Sequence, residues 1–287
     1  MKYAYMDSER IKYSVSLMAR VLQVSRAGYY KWIKHSISRR SERRRIVKAA
    51  VQETYHLFKK SYGAPRIARE LNEQGISCSI NHVAVLMQEI GIKAHNGKNF
   101  KYSPAGSAII GNVSDNLLRR QFNAKGPNQK WVTDITYINA NSKWIYLAVV
   151  MDLYSRAIVG WSVDTHMRES LICNALDMAL ARRDISDNLI VHSDRGVQYR
   201  SNIYRDKLLD NGCTISMSRK SNCWDNAVIE SFFSRFKVEC IYPNRFKSIE
   251  QAKSDIFEYI EIFYNRKRKH SAIGYVSPMQ FEQLVNN

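Results

Sequence analysis

Three carboxylates stand apart from the other acidic residues because of what surrounds them. Asp134 lies within WVTDITYI, a segment rich in β-branched and aromatic residues; this predicts a strand with Val132, Asp134, Thr136 and Ile138 on one face. Asp194 closes the short apolar segment NLIVHSD just before the turn Arg195–Gly196, and Glu230 sits in the apolar run AVIESFF. Taken singly, each has an ordinary explanation: a strand-end Asp accepting turn amides, or a Glu on the polar stripe Asn226, Glu230, Ser234, Lys237 of an amphipathic helix. Taken together, acids at one place repel by ~4 kcal/mol per pair at ~4 Å and an effective dielectric of ~20, so protons or cations must compensate them. Mg²⁺ suits that task, because it takes hard oxygen ligands and is commonly completed by phosphate oxygens. Two such ions clamp the attacking and leaving oxygens of an in-line displacement at phosphorus. The candidate chemistry is therefore phosphodiester cleavage or transfer.

The elements needed to position these acids are legible around them. KWIYLAVVMDLYS and AIVGWSVD follow WVTDITYI at hairpin-like spacing. A helix is expected from about Glu169 to Arg183, with Leu171, Ile172, Ala175, Leu176, Ala179 and Leu180 on its apolar face. NLIVHSD and CTISMS read as further strands, and NAVIESFFSRFKVECIY and SIEQAKSDIFEYIEIFYN as long helices. Three strands, a helix, then alternating strands and helices predict an α/β domain with a mixed sheet.

The N-terminal third has a different grammar. Leu17, Met18, Val21 and Leu22 share one helical face, and Ser25 is placed to cap a second helix carrying Tyr29, Tyr30, Trp32 and Ile33. Two short helices with basic flanks suggest a helix-turn-helix over 1–38. A second helical unit is expected over 39–95. Ile46, Val47, Ala50, Val51, Tyr55 and Phe58 line its first helix, Pro65 opens its second, and Ser79 precedes a third that ends at Gly91. Any three-helix bundle could show these spacings. From 96 to 128 glycine and proline break the periodicity, predicting a linker with one short helix around Leu117 to Phe122. The α/β region then divides into 129–240 and a helical extension over 241–287.

Charge favours a polyanionic partner. The formal net charge is +18, and residues 1–60 alone carry 15 basic against 4 acidic side chains. Such a surplus repels itself unless a partner neutralises it, and binding of that kind weakens steeply with salt. Candidate nucleic-acid contacts are Arg26 and Lys31 in the first helical unit, and Arg43, Arg44, Arg45, Arg66, Asn81 and His82 in the second. Lys237 and the block Arg266, Lys267, Arg268, Lys269 complete the set. No apolar run reaches membrane-spanning length, the N-terminus lacks a secretory block, and the five cysteines are scattered without a CxxC pair. A reduced, cytoplasmic, nucleoid-associated protein without disulfides is the expectation.

The order Asp134, Asp194, Glu230, with 35 residues between the last two, resembles the acidic triad of DDE transposases and retroviral integrases. The surrounding strings are more specific. WVTDITYI, HSDRGVQY, SRKSNCWDNAVIESFFSRFK and FYNRKRKHSAIGYVSP resemble bacterial transposases of the insertion-sequence-three family, as the product of the downstream reading frame. YGAPRIARELNEQGI and VLQVSRAGYYKW are similar to that family's N-terminal region, so the resemblance covers nearly the whole chain. It implies a ribonuclease H-like catalytic domain, a mixed five-stranded sheet flanked by helices, preceded by an all-α helix-turn-helix region that binds DNA. It also implies that Asp134, Asp194 and Glu230 are the catalytic, metal-holding residues for two Mg²⁺ (or Mn²⁺) ions, and that Lys237 is the motif's basic residue. The implied reaction nicks DNA at the element's terminal inverted repeats. The freed 3′-hydroxyl then attacks another phosphodiester without a covalent protein–DNA intermediate, first joining the ends into a circle and then integrating into target DNA. Homo-oligomers on paired ends, and a frameshift fusion with the upstream frame's product, are the implied assemblies.

Several residues compete for attention. Asp225 reads as a helix-start residue, Asp152 as a strand-end acid that could supplement the metal site, and His192 and Asn226 as supports behind the acids. His192 reads more readily as a packed neutral histidine than as such a support, and Trp224 as a base-stacking residue or a core anchor. His56, Cys78 and His82 lack paired-ligand spacing, so no zinc site is expected. A helix-turn-helix regulator with an inactive integrase-like domain, or a tyrosine recombinase using Tyr264, would also account for parts of the chain. The regulator leaves the carboxylates unexplained.

Overall fold

The computed structural model describes residues 1–34, 39–95, 113–185, 188–219 and 222–285. Most of the linker expected over 96–128 (residues 96–112) lies outside them. Among the described residues no helix is long and apolar enough to cross a membrane.

Three short helices open the chain: α1 (Lys2–Ser8), α2 (Val15–Val21) and α3 (Arg26–Ile33). Ser14 and Ser25 cap α2 and α3 by accepting from the backbone N–H of Leu17 and Gly28, and Met6, Met18, Ala19 and Tyr29 form a small core between the three. Then come α4 (Arg39–Leu57), α5 (Ala64–Glu73) and α6 (Ile80–Ile90). Proline stands in the first turn of α5, Ser79 caps α6 through the His82 N–H, and Gly91 ends α6 at φ 73°.

The helical pattern expected over Leu117 to Phe122 is corrected by the structure, which has turns there. Ser216 Oγ accepts from the backbone N–H of both Leu117 and Leu118, at 3.0 and 3.2 Å, pinning the segment to the sheet domain and burying Leu118. Backbone donors held by a distant serine are not available to a helical turn.

The sheet has five strands: β1 (Lys130–Ala140), β2 (Lys143–Asp152), β3 (Ile158–Asp164), β4 (Ile190–Ser193) and β5 (Thr214–Met217), in the order β3-β2-β1-β4-β5. β1 to β3 pair antiparallel, whereas β4 and β5 join parallel to β1 and to each other. The β1–β2 hairpin closes through Asn141 and Ser142 at φ 51° and 62°, a two-residue turn whose twist suits the flanking strands. Helices α7 (Glu169–Arg182) and α8 (Asn202–Asp210) cover one face around Trp131, Ala148, Val150 and Val191. Gly160 in β3 permits the close approach of α7, because a Cβ there would stand 2.1 Å from the Ala175 carbonyl oxygen.

The other face of the sheet packs on α9 (Ala227–Phe236), α10 (Ile249–Phe257) and the helical turns after them; α11 (Pro278–Val285) closes the chain. Both long C-terminal helices widen into π-helical turns, at Lys237–Ile241 and Glu258–Tyr264. One apolar core joins Val132, Ile138, Leu147 and Met151 of the sheet to Phe232 and Phe236 of α9, and runs on into Val51 of α4, Tyr62 of the loop after it, Ile67 of α5 and Leu86 of α6. The second helical unit is thus built onto the α9 side of the sheet.

Candidate active site

Strand alternation decides where the acids fall. Val132 and Ile138 belong to the core on the α9 side, while Trp131 belongs to the opposite one, so Asp134 projects on the α9 side. Val132 pairs with His192 in the parallel ladder between β1 and β4. Asp194 follows two residues later, just past the end of β4 and on the same side as His192, and its charge acts on Asp134. Glu230 comes from α9, which packs against β1.

The electrostatics follow from this placement. The Asp134 carboxyl lies well above the usual carboxylate range, first because burial strips its water and next because of the charge of Asp194, with Glu230 adding to it and Lys237 opposing it. Asp194 is raised by burial; the Gly196 N–H, 2.8 Å from its Oδ1, and the Arg200 charge pull the other way. Burial raises Glu230, with Asp194 as a further cause. Lys237 is lowered by burial against the pull of Asp134, and its Nζ lies 4.6 Å from the centre of the Tyr137 ring. The structure therefore brings the three acids within electrostatic reach of one another, and Lys237 within reach of Asp134. Among the described residues no group of three or more His, Cys, Asp or Glu side chains is arranged so that it could hold a metal ion. The donor set is nonetheless of the kind a hard divalent cation takes, and its charge is under-compensated.

Comparison with known proteins decides the family. Two segments match the model described as "Integrase core domain", residues 124–223, which hold Asp134 and Asp194, and residues 230–285, which begin at Glu230. Residues 41–98 match "HTH-like domain". Over 285 residues, 98% of both chains, the sequence is 44% identical to the transposase InsF for insertion sequence IS3A of Escherichia coli (strain K12). The chain belongs to the IS3 transposase family. It is also 38% identical to a 31 kDa protein of insertion element IS600 from Shigella sonnei, covering 93% of this chain and 97% of that one. Among solved structures, the HTLV-2 integrase catalytic core domain in complex with magnesium aligns over 55% of this chain and 98% of its own, at 16% identity and a TM-score of 0.39. This IS3-family member is thus a transposase, a polynucleotidyl transferase carrying an integrase core and an HTH-like domain.

Other sequence candidates of the transposase fall in different places. His192 is fully buried; its Nδ1 lies 2.8 Å from Ser216 Oγ, its Nε2 has no hydrogen-bond partner, and burial pulls its pKa down to about 4. It fastens β4 to β5 as a neutral ring and does not bond to any of the three acids. Asn226 is buried with Oδ1 unpartnered. Asp225 lies in the helical turn Cys223–Asn226 that leads into α9, takes charged hydrogen bonds from Arg219 and Arg120, and is held well below the usual carboxylate range by Arg219 first. Asp152 lies opposite Trp131, at the start of β1 and three residues from Asp134, and accepts from the N–H of Asn128 and Tyr154 at 2.8 Å each; burial pushes it up to about 6. Trp224 is exposed.

The basic block near the C-terminus needs correction. Arg266 and Lys267 face solvent, but Arg268 and Lys269 are buried and spoken for. Arg268 makes two 2.7 Å bonds to the carboxylate of Glu239, which also accepts from Tyr259 Oη, and Lys269 pairs with Glu70 and Glu73 of α5. Both charges are therefore matched by carboxylates of the chain itself. In the helical units, Arg26 and Lys31 are exposed, Arg43 donates to the Ser77 carbonyl, Arg44 pairs with Glu89 and Arg45 with Glu42. Asn81 is exposed and His82 half-buried at the start of α6, while Arg66 is half-buried over the Tyr62 ring. Arg200, buried beneath Asp194, escaped the sequence reading; its signal is the spacing in HSDRGVQYR, where a tight turn folds it back under the acid.

Proposed function

We propose that this transposase binds the terminal inverted repeats of its element through the helical region over 1–95, and cuts and rejoins DNA strands at Asp134, Asp194 and Glu230. The observation that carries this reading is the shared perturbation of these acids: Asp134 is raised by both Asp194 and Glu230, an arrangement that costs stability unless a cation joins it. We further propose two Mg²⁺ or Mn²⁺ ions as that complement, with the ligand shell closing on binding. A bound ion supplies Lewis-acid polarisation of the scissile phosphate and lowers the pKa of the attacking water.

The chain's own residues do the rest. Lys237, at the start of the π-helical turn that continues α9 and within reach of the Asp134 charge, holds a phosphate oxygen next to the scissile bond. The Gly196 N–H and Arg200 fix Asp194, and the Ile135 N–H, 2.8 Å from Asp134 Oδ1, fixes Asp134. The first step breaks a phosphorus–oxygen bond with water and frees a 3′-hydroxyl. In the second that hydroxyl attacks another phosphodiester, one phosphorus–oxygen bond forming as one breaks, so no outside energy source and no covalent protein–DNA adduct are needed. Joining the two element ends into a circle and then integrating into target DNA are two uses of that same step. Arg26, Lys31, Arg43, Arg45, Asn81, His82, Arg266 and Lys267 are proposed to hold the DNA, with homo-oligomers on paired ends and a fusion with the upstream frame's product as assemblies. The reading is tested by a nicking and joining assay on the element's terminal DNA with and without Mg²⁺ or Mn²⁺. Asp134→Asn is expected to bind DNA and fail to cut. Cleavage persisting in chelator would overturn it.

A further inference from the structure

A cavity of about 270 Å³ lies on a different flank of α9 from Glu230, between that helix, the β2–β3 turn and the segment after the second π-helical turn. Its walls divide by chemistry. Phe122, Met151, Val228 and Phe232 give an apolar side, and Arg156, Arg235, Arg268 and His270 a basic one. Ser231 and Arg235 stand one helical turn apart on α9 and both line the opening.

The positive charge here is under-compensated. Arg268 is matched by Glu239, but Arg156 and Arg235 make no ion pair among the described residues. Arg156 Nη1 is buried with no hydrogen-bond partner, although its Nη2 reaches the Phe122 carbonyl at 3.4 Å. His270 Nδ1 accepts from the Ala272 N–H, which leaves Nε2 as the position that carries the proton in a neutral ring. Burial, then Arg268, Arg156 and Arg66, keep that ring neutral. Guanidinium groups that line a cavity without a paired carboxylate are charge-assisted donors that an anion would take up.

We propose that this cavity binds one nucleotide of an unpaired DNA strand: the phosphate on Arg156, Arg235 and His270 Nε2, the base against Met151, Val228 and Phe232. The volume is near the lower bound for a small-ligand site, ~300 Å³, which suits a single nucleotide. α9 then serves two parts of one strand. Glu230 lies toward the scissile phosphate, and a helix diameter away, ~10–12 Å or about three nucleotide rises of ~3.4 Å, the cavity holds a base that has left the stack. A site of this kind fixes the frayed end during cleavage and rejoining. The assignment rests on the reading of the chain as a strand-transferring enzyme, but its test does not.

The test uses the full chain in EDTA, with a deoxynucleoside monophosphate or a four-nucleotide single strand as probe and binding read by calorimetry. The proposal expects saturable binding that Arg235→Glu, at an exposed position, weakens at least tenfold while the melting curve stays unchanged. Asp134→Asn should leave this binding intact, so failure of the acid site and failure of the cavity are told apart. Absence of saturable binding, binding indifferent to Arg235→Glu, or inorganic phosphate or an acidic peptide bound as tightly as the nucleotide would each overturn it. Val228→Trp, which fills the apolar side without touching charge, is the second arm: it should also weaken nucleotide binding at least tenfold, and unchanged affinity would contradict the base position.

Discussion

Asp134→Asn should make the metal-free protein more stable while ending catalysis. The wild-type carboxylate lies within reach of Asp194 and Glu230 and is opposed by Lys237 alone among the named charges. For two unit charges ~8 Å apart at an effective dielectric of ~20 the repulsion is about 2 kcal/mol, so relief of ~1–2 kcal/mol is the scale expected from removing the Asp134 charge. Asparagine keeps an oxygen to accept the Ile135 N–H and removes the charge. For a domain of 150–250 residues each kcal/mol moves the melting temperature by ~2–4 °C, so a rise of ~2–8 °C is expected in EDTA. The pH dependence has a definite sign. Because the folded-state pKa of Asp134 is raised, its stabilising contribution is fully present below the unfolded value and is lost as pH rises through the folded value. The gap between variant and wild type should therefore widen from pH 4 to pH 8. Circular-dichroism melts in EDTA at several pH values provide the check. A variant that melts at or below the wild type throughout would refute the reasoning that these acids repel in the folded chain.

Other outcomes follow from the same geometry. Glu239→Gln leaves the Arg268 guanidinium buried without its counter-charge and should cost ~3–5 kcal/mol by chemical denaturation, whereas replacing both partners by apolar residues should cost far less. Lys237→Ala should weaken binding of terminal DNA and lower the slope of log affinity against log salt by about one, as read by anisotropy titration. His192 and Asp152 act oppositely on acid stability. His192, depressed to about 4, loses its stabilising contribution as pH falls from 6.5 toward 4, while Asp152, raised to about 6, regains one as pH falls through 6. Asp152→Asn should therefore make unfolding below pH 6 steeper than in the wild type, measured by melts between pH 4 and 7.

What the sequence disclosed and what it hid have physical causes. β1 to β3 are legible because the β-branched and aromatic residues of WVTDITYI and the apolar run IYLAVVM mark strands that pack on both faces of the sheet. The caps at Ser25 and Ser79 act within three residues, so local spacing reveals them. Asp134, Asp194 and Glu230 attract notice as charges inside apolar segments, a signal carried by composition alone. The block Arg266 to Lys269 misleads because partners distant in sequence decide its fate: Glu239 lies 29 positions from Arg268, and Glu73 lies 196 positions from Lys269. Segment 117–122 misleads for the same reason, with Ser216 as the remote partner. α1 escapes because only Met6 on it is buried, which leaves no periodic face to read.

The most direct measurement is an anomalous-scattering map of crystals soaked in Mn²⁺. The account predicts density bounded by the carboxyl oxygens of Asp134, Asp194 and Glu230, lost in Asp134→Asn. Manganese bound only elsewhere, with these three side chains unmoved and empty between them, would contradict it.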